Sequence, residues 1–343
     1  MRLKERFKTS RILVFYGILL FFLFAIKCKS PSGPETQESE KGYFHYLLGN
    51  SQDAVTNAFP GYVLMGGGRD VDFAFKWMID KGAGGDFVVI RATGTDAYNS
   101  YIYNMGNVDS VETFVIYSKR GANNDFVIQR LIQAEAVFIA GGNQADYTRF
   151  WKGTALTETL NTLLFKGIPL GGTSAGVAVL GEFVFSALKG TVYSDEALSD
   201  PYNPTITIDQ NFINIPLLNQ VITDSHFSDR DRMGRLVVFL ARIMKDYELT
   251  FMRGIGIDEE TALMVLPDGS SEAYGTGHVY FLSTDHQPET CDVGVPLTFR
   301  DIHVYRIGGN GSFHLSTWQG FGGISYFVSA EKGNLVSSIG SIY

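Results

Sequence analysis

Cysteine is nearly absent: the 343 residues hold two, Cys28 and Cys291. At most one disulfide could form, and a Cys-rich metal site is excluded. Basic residues are outnumbered, 28 Lys and Arg against 36 Asp and Glu, for a formal net charge of −8. That balance argues against nucleic acid as a partner. Histidine is scarce too, with six residues, so few side chains can exchange protons near neutral pH. Internal repeats are lacking, and only one apolar stretch is long and unbroken.

That stretch lies near the start. Arg2, Lys4, Arg6, Lys8 and Arg11 precede an apolar run from Ile12 to Ile26. A basic segment followed by about 15 apolar residues reads as an export signal, and is short for a spanning helix. Without residues 1–27 the chain keeps 22 basic and 35 acidic residues, a net charge of −13. Cys28 stands just after the run and Lys27, at the position of the lipidated Cys of a bacterial lipoprotein signal. Lys27 departs from the small residue usual there. A lipid tether, plain secretion and an uncleaved anchor are the alternatives, and the first leaves no intrachain disulfide. Residues 28–52 are expected to be a flexible tether, because 29–42 is rich in Pro, Ser, Gly and Glu and cannot bury apolar surface.

What remains is globular in composition: 45% of the chain is apolar and 13% aromatic. A single domain is expected over 53–343, with a parallel α/β core at about 61–266 and a β-rich tail over 267–343. Strands are expected at Gly61–Met65, Asp86–Ile90, Thr113–Tyr117 and Ala136–Ala140, with helices at Asp72–Asp80 and Asp125–Ala134. Asn124 is the expected cap of the second helix, and Phe126, Ile128, Leu131 and Ile132 its apolar face. Continuous apolar strands separated by helices indicate a parallel sheet covered on both faces. Sites in such sheets lie at the carboxyl ends of the strands. The Gly turns at 66–68, 141–142 and 171–172 fall there. Beyond about residue 260 short strands and turns suggest antiparallel additions.

The densest signal is Gly171-Gly172-Thr173-Ser174-Ala175-Gly176-Val177. It contains G-x-S-x-G between a short strand and a helix start, the pattern that presents a nucleophilic Ser on a sharp turn. The first N–H groups of the following helix stay free to bind an oxyanion. Such a Ser needs a base and a group to orient that base. Among the six histidines, His226 stands out in Val221-Ile222-Thr223-Asp224-Ser225-His226, at the end of an apolar run. Asp258-Glu259-Glu260 closes another apolar strand and offers the acid. The order Ser, His, acid is not that of the α/β-hydrolases. Asp224 with His226 makes only two metal ligands with no third nearby, poor grounds for a metal site.

Four blocks together resemble the cyanophycinases, in the serine peptidase family that also holds dipeptidase E. They are Phe138-Ile139-Ala140-Gly141-Gly142-Asn143-Gln144; Gly172-Thr173-Ser174-Ala175-Gly176; Asp224-Ser225-His226-Phe227 with Arg230, Arg232 and Arg235; and Gly256-Ile257-Asp258-Glu259 with Thr261 and Ala262. The similarity runs from about Gly61 to about Thr317. It implies an α/β, flavodoxin-like fold akin to class I glutamine amidotransferases: a mostly parallel sheet, helices on both faces and a β-rich C-terminal extension. It implies Ser174 as nucleophile, His226 as base and Glu259 as the orienting acid, with Glu260 the alternative. Backbone N–H groups at Gly142 and Ala175 would form the oxyanion hole. Gln144 and Asp224 would line the substrate pocket, and Arg230, Arg232 and Arg235 would help bind carboxylates of a β-aspartyl substrate.

The activity so implied is that of an exported serine exopeptidase acting on cyanophycin or other β-aspartyl or Asp-containing peptides through an acyl-enzyme. Neither metal nor cofactor is expected. The implied partners are a peptide or isopeptide, a membrane through the N-terminal lipid or anchor, and a second copy in a homodimer. Three departures bear on the substrate. Val177 stands where the family usually has Ala. The segment 189–210 differs from the usual pocket loop. Thr148 replaces the basic residue expected in cyanophycin-degrading members. The rival readings are a binding lipoprotein on the same fold, and a glutaminase-like amidase, which usually employs Cys where this chain has Ser174.

Overall fold

A computed structural model describes residues 40–309 and 311–343; Cys28 and the expected signal 1–27 lie outside the described residues. Continuous apolar strands need cover on both faces, and five of them form the centre. Ser110–Ile116, Asp86–Arg91, Ala136–Ile139, Leu170–Thr173 and Tyr62–Met65 lie side by side in that order, all parallel. Every residue in them except Tyr62 and Arg91 is buried. Alternate side chains go to opposite faces. Val63, Met65, Val89 and Phe138 meet helix Asp72–Lys81 through Ala74, Phe75 and Met78. Leu64, Val88, Ile90, Val137 and Ile139 meet helices Asp125–Ile132, Gln144–Trp151 and Ala155–Phe165. The fold is α/β, as expected.

Asn124 caps its helix: the Phe126 N–H donates to Asn124 Oδ1 at 3.0 Å. The apolar face differs from expectation. Val127 and Leu131, four residues apart, are buried, while Phe126 and Ile132 are 42% and 47% exposed. Phe126 instead stacks on Tyr43. Tyr43 belongs to a further correction. Tyr43–Gly49, inside the expected tether 28–52, is a strand paired antiparallel along Ser110–Ile116. Its aromatic and apolar run suits a pleated, half-buried edge, unlike the polar stretch before it. His45 Nε2 meets the buried Glu112 carboxylate at 2.7 Å.

The parallel strands are divided between two sheets. Thr261–Val265 pairs antiparallel with Tyr62–Met65 and occupies the edge where another parallel strand would add. From there the first sheet continues through Ser270–Gly275, Ser312–His314 and Gln319–Phe321 to ten strands. Phe183–Phe185, Val221–Asp224 and Met252–Ile257 run parallel in a second, eight-stranded sheet. Val279–Thr284, Phe299–Ile307, Ile324–Glu331 and Asn334–Ser337 extend it antiparallel. Helix Met233–Asp246 covers one face, packing Leu236, Leu240 and Met244 with Ile222 and Met252. The other face shares a core with the first sheet: Ile255, Ile257 and Phe281 pack among Leu64, Val177 and Leu263. The β-rich tail thus serves both sheets, and the carboxyl ends of their parallel strands meet.

Candidate active site

Ser174 follows strand Leu170–Thr173 and caps the short helix Ala175–Ala178, with φ 54° and ψ −117°. A non-glycine residue there carries strain of about 1–3 kcal/mol. The flanking glycines explain how the turn closes. A Cβ at Gly176 would lie 2.0 Å from the Ile139 carbonyl oxygen, and one at Gly172 would lie 2.7 Å from the Gly176 carbonyl. Only bare backbone permits that approach.

The Ser174 hydroxyl lies 2.7 Å from His226 Nε2. His226 stands two residues past strand Val221–Asp224, itself left-handed at φ 46°. Its N–H donates to the Gly66 carbonyl at 2.7 Å, which ties the His loop to the first sheet. On the far side of the ring, His226 Nδ1 hydrogen-bonds Glu259 Oε1. Glu259 follows strand Met252–Ile257, and its N–H is held by Asp229 Oδ2 at 3.0 Å. The acidic cluster divides by position. Asp258 is buried and accepts from the Ser228 and His278 N–H groups. Glu259 reaches the imidazole, and Glu260 is exposed in a left-handed turn. Of the two candidate acids, Glu259 is the one whose carboxylate meets His226.

Beneath the ring runs Gly66-Gly67-Gly68, and its role was not legible in the sequence beyond its place at a strand end. Gly67 has φ +96°, and a Cβ there would lie 2.4 Å from His226 Cε1. Gly68 has φ +74°, with its would-be Cβ 2.9 Å from Glu259 Cβ. Gly67→Ala is therefore expected to push the imidazole off the Ser174 hydroxyl. Activity should fall by about 10²-fold, the scale on which a misplacement of an ångström acts. A crystal structure of the variant should show a Ser174–His226 distance beyond hydrogen-bonding range; full activity would contradict this role for Gly67.

Burial depresses the His226 pKa below its usual 6.5, and Arg230 and Arg232 add to this against the Glu259 hydrogen bond. The neutral ring, able to accept a proton, is thereby favoured. Asp224 was expected to line the substrate pocket; it is instead buried behind it. Arg235 grips its carboxylate with two contacts of 2.8 and 2.6 Å, and Arg232 adds one at 3.3 Å. Burial raises the Asp224 carboxyl, but the two guanidiniums outweigh it and hold the pKa below the usual 3.8. Arg232 is itself brought down to about 10 by burial, against the pull of Asp224. So Asp224 acts as an anchor for arginines, because an isolated buried charge would be untenable.

Beside the Ser–His–Glu series opens a cavity of about 500 Å³. Arg149, Arg230, Arg232 and Arg235 line it with Gln144 and Tyr193, and no carboxylate is among its lining residues. Arg149 is one residue past Thr148, where a basic side chain was expected. Thr148 is buried and turns back to the Gln144 carbonyl. The atypical segment beginning at Lys189 supplies the wall from Gly190 to Ser194. Gln144 donates through Nε2 to the Phe185 carbonyl at 3.1 Å, leaving its carbonyl oxygen as the group to present. The Gly141-Gly142 turn approaches the nucleophile turn: a Cβ at Gly141 would lie 3.4 Å from Ser174 Cβ. The Ala175 N–H, first in its helix, has no intrahelical acceptor. Gly142 is the next residue of the Gly141-Gly142 turn, and its N–H and that of Ala175 are the oxyanion donors the sequence suggests. Among the described residues no group of three or more His, Cys, Asp or Glu is placed to hold a metal ion.

The molecule is thus an α/β protein whose strand ends assemble a hydroxyl, an imidazole and a carboxylate in hydrogen-bonded series. It belongs to peptidase family S51, whose profile matches residues 95–272 and so spans Ser174, His226 and Glu259. A cyanophycinase of Synechococcus elongatus is 26% identical over 62% of this chain and 62% of its own length. A cyanophycinase of Geminocystis herdmanii is 27% identical over 67% of this chain and 80% of its own. A solved peptidase from an acI-B1 Actinobacterium aligns with a TM-score of 0.48 at 15% identity, covering 75% of this chain and 97% of that one.

Proposed function

We propose that this chain is a serine peptidase that cleaves β-aspartyl or other Asp-containing peptides, cyanophycin among them, through an acyl-enzyme. The observation that carries the reading is the 2.7 Å contact between the Ser174 hydroxyl and His226 Nε2, with Glu259 on the other ring nitrogen. His226 takes the hydroxyl proton as Ser174 attacks the scissile carbonyl, and later gives it to the leaving amine. The N–H groups of Gly142 and Ala175 stabilise the oxyanion. The second half repeats the steps with water as nucleophile. Four arginines line the adjoining cavity; Arg232 and Arg235 are held by Asp224, and the more exposed Arg149 and Arg230 suit a substrate carrying a carboxylate beside the bond to be cut.

The test is hydrolysis by the purified protein of cyanophycin, β-Asp-Arg and an α-Asp dipeptide. Cleavage of at least one, with a preference for the β-linked bond, is expected; no cleavage of any would favour the reading as a binding protein. The pH dependence has a fixed sign. Activity needs neutral His226 and is lost as pH falls through its pKa. Because burial lowers that pKa from 6.5, the acid limb of kcat/KM should lie below pH 6.5, with full activity at pH 7. An acid limb above 7 would contradict the assignment.

We also propose export, with a lipid on Cys28 as the tether. The basic segment and the run from Ile12 to Ile26 support it. Among the described residues no helix is long and apolar enough to cross a membrane. Cys28→Ser should release the protein from the membrane fraction or leave residues 1–27 attached, as read by mass spectrometry of the N-terminus. An unmodified N-terminus elsewhere than Cys28 in the wild type would remove the lipid tether.

A further inference from the structure

Arg253 is the second residue of strand Met252–Ile257, and Glu259 lies beyond the strand's other end. Arg253 and Ile257 are four positions apart along the strand, a rise of about 13 Å. Arg253 therefore belongs to a different end of the molecule from the Ser–His–Glu series. It opposes Ser283, which opposes His303, which opposes Phe327, so the four side chains form one row across the eight-stranded sheet. Trp318, from the turn before strand Gln319–Phe321 of the other sheet, closes over the row. Between them is a cavity of about 440 Å³ that shares no lining residue with the arginine-lined one.

Three independent anomalies converge on this cavity. The Arg253 guanidinium sits 4.6 Å from the Phe251 ring centre and 4.4 Å from that of Trp318. Its Nε is buried with no hydrogen-bond partner. Trp318 Nε1 is likewise buried and unpartnered. Trp318, which lines the cavity, is held at φ 56°. Left-handed backbone is a true outlier for a bulky side chain, and such strain collects at functional sites. Buried donors without acceptors are rare and need an explanation. Burial lowers the Arg253 pKa. His303 is already committed, its Nε2 within 2.8 Å of Ser325 Oγ. At the rim, Asp285 and Asp301 line the same cavity and are exposed.

We propose that this cavity is a second binding site, for a small ligand with a carboxylate at one end and a cationic group at the other: a free amino acid or short peptide. The carboxylate would accept from Arg253 Nε and Trp318 Nε1 once the indole shifts to uncover them, satisfying both orphan donors with charge-assisted bonds. The apolar body lies along Phe251 and Phe327, and the cationic group meets Asp285 and Asp301. A phosphate could use the same two donors, but the two aspartates oppose a dianion. The site is separate from the Ser–His–Glu series and independent of the proposed peptidase activity.

The experiment is calorimetric titration of the full chain with glycylglycine, glycylglycinamide, N-acetylglycylglycine and inorganic phosphate. Glycylglycine should bind. Loss of the carboxylate in glycylglycinamide, or of the cation in N-acetylglycylglycine, should weaken binding, the former by about tenfold or more. Arg253→Gln should cause the same loss as the missing carboxylate. Trp318→Phe, which keeps a ring, should cause a smaller one. Lys76→Ala, exposed and lining neither cavity, should change nothing. If Arg253→Gln fails to fold, Arg253→Lys keeps the charge and loses the buried Nε–H, and should still weaken glycylglycine binding. Equal binding of glycylglycinamide, unchanged binding in the Arg253 variants, tighter binding of phosphate than of glycylglycine, or no binding of any probe would overturn the proposal.

Discussion

Ser174→Ala should lower the rate of peptide hydrolysis by about 10⁴-fold or more while leaving the thermal unfolding curve almost unchanged. The two halves of this expectation have separate causes. The hydroxyl is the group that meets His226, and no other hydroxyl or thiol does so among the described residues. The fold should survive because the change removes one oxygen from a turn whose shape is fixed by Gly172 and Gly176 packing backbone to backbone. Relief of a clash is not involved, so no rearrangement should follow. Ser174→Ala with His226→Ala should be hardly slower than either alone, since residues that act as a unit are not additive. Additive losses would mean that His226 serves some step other than activating Ser174.

The second large effect is on stability. Asp224→Asn should destabilise the protein by about 3–5 kcal/mol, because removing one partner of a buried ion pair leaves the other charge uncompensated. Arg235 is nearly fully buried, held by both carboxylate oxygens of Asp224 and packed over Phe185 and Phe239. With a neutral partner the guanidinium keeps one acceptor and loses the countercharge. The urea midpoint should fall with little change in slope. Adding Arg235→Met should recover much of the loss by removing the stranded charge. A shift below about 1 kcal/mol would place Asp224 among ordinary surface pairs and return it to the role of a pocket residue. The sign of the pH effect follows from the depressed Asp224 pKa. The stability it contributes is present above the unfolded value of 3.8 and is lost as pH falls through the lower folded value.

The site was legible where the chemistry is local. The Ser174 turn announces itself because two glycines must flank it, and His226 and Glu259 each follow a short apolar strand at the same offset of two residues. The partition of strands into two sheets was not legible. It depends on Thr261–Val265 pairing antiparallel with Tyr62–Met65, a contact between segments nearly two hundred residues apart with no local signature. The same contact explains why Gly67 was missed as a site residue. A Gly-rich turn declares freedom of backbone, while the imidazole that needs the space comes from a distant loop. The tether was drawn too long for a different reason. The polar stretch 29–42 hid the change of composition at Tyr43, where an edge strand begins. Asp224 was misplaced because a motif gives spacing without direction: its neighbour His226 faces the nucleophile, while Asp224 turns toward the arginines.

Ser174, activated by His226, is proposed to form the covalent bond to substrate. Mass spectrometry after incubation with a serine-reactive fluorophosphonate tests it most directly. One adduct on the peptide containing Ser174 is predicted for the wild type, and none at equal exposure for His226→Ala or Ser174→Ala. An adduct on a different residue, or peptide hydrolysis that persists once Ser174 is fully modified, would contradict the claim.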